Sequence, residues 1–176
     1  MRFQLAGLPR SGTAWLSAVL NYAPDVMCVH EPVDLNVPVP VDGFRSMGVA
    51  GSHLLVPEYR DMPSDLRVFI SRSPRESNKS LERLGLGLGL GEGMFHRMED
   101  LGYEYADMCD IIIPFGKLFQ IGTVFDLWYK VSNADLPTDK IMAMMNMNVQ
   151  RNSLQYDFDP RFLESVGGSM AGKGGM

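Results

Sequence analysis

Apolar residues gather in short continuous runs separated by longer stretches with helical spacing, a rhythm that predicts buried strands alternating with amphipathic helices. Residues 3–8, 26–30, 67–71 and 110–114 read as strands, the last carrying Ile111, Ile112 and Ile113 in succession. Such runs with helices between them predict a parallel sheet covered on both faces, an α/β fold of three layers. Between the first two strands, Trp15, Leu16, Val19 and Leu20 share one face of a helix over residues 13–22, which must stop before Pro24. Further helices are predicted over residues 74–84, with proline in the first turn, over 122–131, and over 139–150 with Thr138 as N-cap.

Elsewhere the pattern weakens. Residues 33–63 hold several prolines and glycines and read as loops with one or two short helices over the C-terminal edge of the sheet. Residues 85–93 alternate Gly and Leu, too flexible for a stable helix, and suit either a lid or a linker. Met142, Met144, Met145 and Met147 crowd one helix, as core filler or as a partner surface. Five glycines within residues 167–176 mark a frayed tail, which leaves residues 1–166 as one domain.

Composition sets the class and charge narrows the ligand. At 45% hydrophobic and 21% charged residues the chain has the balance of a globular protein. No apolar run approaches the ~20 residues that span a bilayer. Pro9 and Arg10 interrupt the stretch a signal peptide would need, so a cytoplasmic location is expected, with no membrane partner. Cys28 and Cys109 read as buried, reduced thiols. A net charge of −5 argues against nucleic-acid binding. Yet residues 1–24 carry a net +2 and residues 67–83 a net +3. Basic islands in an acidic protein suit a small anionic ligand, or else a solvated helix face.

The first island holds a strand, a glycine turn and a helix. Gly7-Leu8-Pro9-Arg10-Ser11-Gly12-Thr13 brings backbone N–H groups and the positive end of a helix to one place, an arrangement for phosphate or sulfate. The spacing from Gly7 to Gly12 fits the start of a Walker A loop, but Thr13-Ala14 stands where that motif needs Lys and a magnesium-binding hydroxyl. ATP–Mg is therefore not the expected ligand. The second island, residues 68–80, is a strand ending in Arg72, then Pro74-Arg75 and a helix with Ser80 eight residues beyond the arginine.

Taken together, Pro9-Arg10-Ser11-Gly12-Thr13-Ala14-Trp15 and the Arg72…Ser80 pair resemble the sulfotransferases that use 3′-phosphoadenosine 5′-phosphosulfate (PAPS). The Pro-Arg-Ser-Gly-Thr form is similar to the tyrosylprotein and related bacterial members. The resemblance implies a three-layer P-loop-type domain with a central parallel sheet flanked by helices. It implies an enzyme that moves a sulfuryl group from PAPS to a hydroxyl of a small-molecule or peptide acceptor, without a metal. Ser11, Gly12, Thr13 and Ala14 would cradle the 5′-phosphosulfate, and Arg10 would neutralise charge on the leaving bridging oxygen. Trp15 matches the position that contacts the adenine face, and Arg72 and Ser80 match the 3′-phosphate ligands. Glu31, in Val29-His30-Glu31-Pro32, falls where these relatives carry a general base; His30 is the competing base and His53 a third.

Two departures accompany the resemblance. Ala14 replaces a threonine, removing one hydroxyl worth ~1 kcal/mol to the 5′-phosphate. The C-terminal donor clamp of many members has only a loose echo in residues 166–173. Two other readings fit parts of the pattern: a nucleotide-binding P-loop module that no longer catalyses, and a small-molecule kinase, against which Thr13-Ala14 speaks.

Overall fold

Alternate residues of the two central strands point into different layers, and this fixes the architecture. The computed structural model describes residues 1–31, 43–85 and 91–145. Its strands are β1 (Arg2–Gly7), β2 (Val26–His30), β3 (Ser46–Gly51), β4 (Leu66–Ser71) and β5 (Ile111–Pro114). They form one parallel sheet in the order β2-β3-β1-β4-β5. The helices are α1 (Thr13–Leu20), α2 (Pro57–Arg60), α3 (Pro74–Glu82), α4 (Glu92–Ala106), α5 (Phe115–Leu118), α6 (Ile121–Val131) and α7 (Thr138–Met145), with a 3₁₀ turn at Ser52–Leu55.

Phe3 and Leu5 of β1 and Leu66, Val68 and Ile70 of β4 pack against α1, α6 and α7 in the larger core. Ala6, Leu8 and Phe69 face the other way, onto the 3₁₀ turn and Met98, Leu101 and Tyr105 of α4. The protein is thus an α/β domain of the three-layer P-loop type, as its apolar pattern predicts. The polar side chain that β1 buries, Gln4, is fully covered and satisfied: it donates to Met62 O at 3.1 Å and accepts from the Tyr105 hydroxyl at 2.8 Å. Asn21 closes α1 and turns its amide to the edge strand β2, bonding both the N–H and the carbonyl of Cys28 at 2.7 and 2.8 Å.

The chain corrects the sequence reading in two places. Ser46–Gly51, within the region read as loops, is a strand lying between β2 and β1. Glu92–Ala106, which the glycine alternation had masked, is the longest described helix. The predicted end of α7 beyond Met145, the glycine alternation at residues 86–90, Met147, residues 166–173 and the tail 167–176 lie outside the described residues. Cys28 and Cys109 are free thiols, both pushed up to about 12, chiefly by burial. No helix among the described residues is long and apolar enough to cross a membrane.

Strand order locates the site. From β1 the chain runs through α1 to β2, two strands to one side; from β4 it runs through α3 and α4 to β5 on the other. The connections diverge above the C-terminal ends of β1 and β4, and that divergence opens a crevice where open α/β sheets bind ligands.

Candidate functional site

The turn after β1 fills one wall of this crevice. Its backbone closes through Ser11 N–H to Leu8 O at 3.0 Å, and both Arg10 (φ 68°) and Gly12 (φ 93°) adopt left-handed conformations. Gly12 is needed for more than its dihedral, since a Cβ there would collide with the buried side chain of Leu118. At Gly7 a Cβ would collide with Ser11 Oγ, so that glycine lets the turn fold back over the strand end. The first bond inside α1 runs from Leu16 N–H to Gly12 O, which leaves the N–H groups of Thr13, Ala14 and Trp15 as the open donors of the first turn. No acidic side chain occupies that turn. Ser11 Oγ is buried and has no hydrogen-bond partner among the described residues. A buried hydroxyl in that state, beside open N–H donors, fits an anion in the turn.

The second wall comes from β4 and α3. Arg72, just past the end of β4, donates through Nη1 to the carbonyl of Arg10. Arg10 donates through Nε to Ser80 Oγ at 3.1 Å. The structure therefore brings Arg10, Arg72 and Ser80 together, although 70 residues separate the ends of the set. Ser77, one turn before Ser80 on the same helix face, donates to Pro9 O and ties α3 to the turn. Burial lowers the Arg72 pKa, opposed by the Glu76 charge, yet a guanidinium stays charged at any ordinary pH. Its Nε is buried with no partner among the described residues, a second donor facing no protein acceptor.

Trp15 lies elsewhere. Its ring is 4% exposed in the larger core, meets Phe119 edge-on at 4.9 Å, and donates Nε1–H to Met144 O at 2.9 Å. The ring is packed by protein and offers no open face for a base; its core role follows from the same helical spacing that built α1. Beside Arg72, on the α4 side of the sheet, is a cavity of ≈ 310 Å³ bounded by Leu8, Phe69, Arg72, Met98, Glu99 and Tyr103. It is apolar at its base and carries ionic groups at its rim.

The base candidates occupy the same sheet edge, toward β2 and β3. His30 Nε2 and Thr13 Oγ1 are hydrogen-bonded at 3.2 Å, and burial pushes the imidazole down to about 4, so it is neutral at pH 7. Glu31 leaves β2 with a left-handed backbone (φ 44°); its N–H donates to Ala50 O at 2.7 Å and its carboxylate accepts from Ser52 Oγ at 3.3 Å. His53, fully buried in the 3₁₀ turn, meets the Tyr59 ring edge-on at 5.9 Å. A Cβ at Gly51 would lie 2.6 Å from His53 Nδ1 and 2.7 Å from Glu31 Cγ, so the two side chains flank one glycine. Among the described residues no cluster of His, Cys, Asp and Glu is arranged to hold a metal ion.

Sequence spacing singled out Arg10, Arg72 and Ser80 but missed Ser77 and Phe115. Ser77 was open to discovery, being three residues before Ser80. Phe115, at the start of α5, has its ring under the Arg72 guanidinium at 3.9 Å and no local sequence signal. No family model matches the chain, and no curated protein does either.

Proposed function

We propose that this protein is a PAPS-dependent sulfotransferase acting on a hydroxyl acceptor, in the cytoplasm, where its two free thiols would stay reduced. The observation that carries the reading is the meeting of Arg10, Arg72 and Ser80 beside a turn whose open donors suit an anion. In this reading the N–H groups of Thr13 to Trp15 and the Ser11 hydroxyl hold the 5′-phosphosulfate, and Arg72 and Ser80 take the 3′-phosphate. The acceptor oxygen attacks sulfur in line, the bond from sulfur to the bridging phosphate oxygen breaks, and that oxygen leaves on the nucleotide beside Arg10. The acceptor proton passes to the Glu31 carboxylate. His30 serves instead to orient the first turn of α1, because its Nε2 is committed to Thr13. With Trp15 in the core, the apolar cavity beside Arg72 supplies the surface for the adenosine body.

A thermal-shift panel tests this. Adenosine 3′,5′-bisphosphate should raise the melting temperature without added metal, and adenosine 5′-phosphate should do so far less. Arg72→Ala should cost the bisphosphate ~10- to 100-fold in affinity, the loss expected for charge-assisted hydrogen bonds of about 1.5–3 kcal/mol, and leave the monophosphate nearly unchanged. Equal losses for both nucleotides overturn the role of Arg72. Stabilisation only by ATP with magnesium makes the protein a kinase, and stabilisation by neither nucleotide removes the donor assignment. Bisphosphate binding with no transfer from labelled PAPS to any acceptor in a mixed extract identifies a module that binds without turnover.

A further inference from the structure

We infer that Phe115 is a positioning residue for the anion-binding arginine, and that its ring decides how strongly the site prefers a nucleotide bearing a 3′-phosphate. The inference rests on the donor reading above and adds a residue that neither the motif spacing nor the resemblance supplies. Three constraints act on the Arg72 guanidinium. The Phe115 ring covers one face, with Cζ 3.9 Å from the ring centroid. Nη1 is engaged with the Arg10 carbonyl. Nε is buried and without a partner among the described residues. Nη2 makes no hydrogen bond among the described residues and is the guanidinium nitrogen left for a phosphate oxygen, in a plane that the ring and the Arg10 carbonyl hold.

Phe115 also lies near the turn. A Cβ placed on Gly12 would lie 3.6 Å from Phe115 Cε2, so the ring neighbours Gly12 as well as Arg72, whose Nη1 reaches the turn directly at the Arg10 carbonyl. The ring is held edge-on against Phe119 at 5.5 Å, and it enters the site directly from the end of β5, a strand paired to β4 through Ser71↔Pro114. The fold carries the ring to the guanidinium through strand pairing rather than through a flexible loop. An aliphatic side chain there would fill space but offer no π face, and the guanidinium would lose its fixed plane.

The test compares the affinities of adenosine 3′,5′-bisphosphate and adenosine 5′-phosphate by calorimetry in the full chain and in Phe115→Leu, Phe115→Met and Phe115→Tyr. The expected result is a preference for the bisphosphate that falls on the order of tenfold in Phe115→Leu and Phe115→Met and is kept in Phe115→Tyr, with monophosphate binding unchanged throughout. A preference that survives in Phe115→Leu or Phe115→Met overturns the inference. So does an equal loss for both nucleotides, which marks a residue that only supports the fold. If Phe115→Leu does not fold, Phe115→Met against Phe115→Tyr decides alone. Absence of any bisphosphate preference in the unaltered protein removes the donor reading, and this inference with it; a preference there but unaltered in the variants removes the inference only.

Discussion

Arg10 and Glu31 are the two non-glycine residues in left-handed backbone among those described, and both stand where a strand ends at the crevice. Such conformations cost ~1–2 kcal/mol for an L-residue and persist where surrounding structure holds them. At Arg10 the holding groups are visible, with the carbonyl fixed by Arg72 and the side chain by Ser80. At Glu31 the N–H bond to Ala50 plays that part. This separates stability from chemistry in one substitution. Glu31→Asn places a residue that tolerates left-handed backbone at a position that no longer has a carboxylate. Its unfolding free energy should stay within ~1 kcal/mol of the parent, while transfer from PAPS should fall by ~10²–10⁴, the usual worth of a general base. Urea denaturation and a labelled-donor assay measure the two quantities, and full transfer activity in this variant removes Glu31 as the base. At this scale the sequence was most readable where chemistry is sparse and spaced, as for Arg10, Arg72 and Ser80. Trp15 misled because a helix face toward the core and one toward a ligand have the same spacing. Phe115 was illegible because only strand pairing brings it to Arg72.

Among the elements, β3 explains why an apolar pattern can hide a strand. Ser46-Met47-Gly48-Val49-Ala50-Gly51 has no run of branched or aromatic residues, and its two glycines argue for a turn. All six residues are nevertheless buried, and the register pairs Phe3 of β1 with Gly48. The Phe3 ring lies over that glycine and occupies the space a side chain would take. The strand is small because its neighbour is large, a complementarity between residues 45 positions apart that no local window contains. Gly48→Ala, which raises strand propensity, should therefore destabilise the fold, by ~1–3 kcal/mol as for other overpacked cores. Pairing it with Phe3→Leu should recover part of that loss. A shift of the urea midpoint toward greater stability in Gly48→Ala alone would contradict the packing argument. Helix α4 is a different lesson. Met98, Leu101 and Tyr105 recur at helical spacing and were readable, but the glycine alternation running into Gly91 and Gly93 drew the reading toward a loop. Helix α3 was fully readable, its proline in the first turn as expected.

For the molecule as a whole, the parallel sheet delivers the anion turn, Arg72 and the base candidates to one edge, and the cost of gathering polar groups at a buried edge shows in its pH response. His30 is the clearest case, with burial alone driving its pKa from the ordinary 6.5 down to about 4. The unfolded chain takes up the proton as pH falls through 6.5, whereas the folded protein resists until about 4. The unfolded state therefore binds more protons across that window, and folding stability, complete above it, drops as pH falls within it. Asp25, held below its ordinary value by hydrogen bonds from Asn133 and Ser132 that outweigh its desolvation, loses its contribution only at still lower pH. The two groups thus act in separable ranges. His30→Gln keeps an amide within reach of Thr13 and removes the titration. Between pH 7.5 and 4.5 the parent protein should lose ~2 kcal/mol more than this variant, read from urea unfolding at each pH. Parallel loss in both proteins would show that the imidazole at the junction of β2 and α1 is not what limits the fold in mild acid.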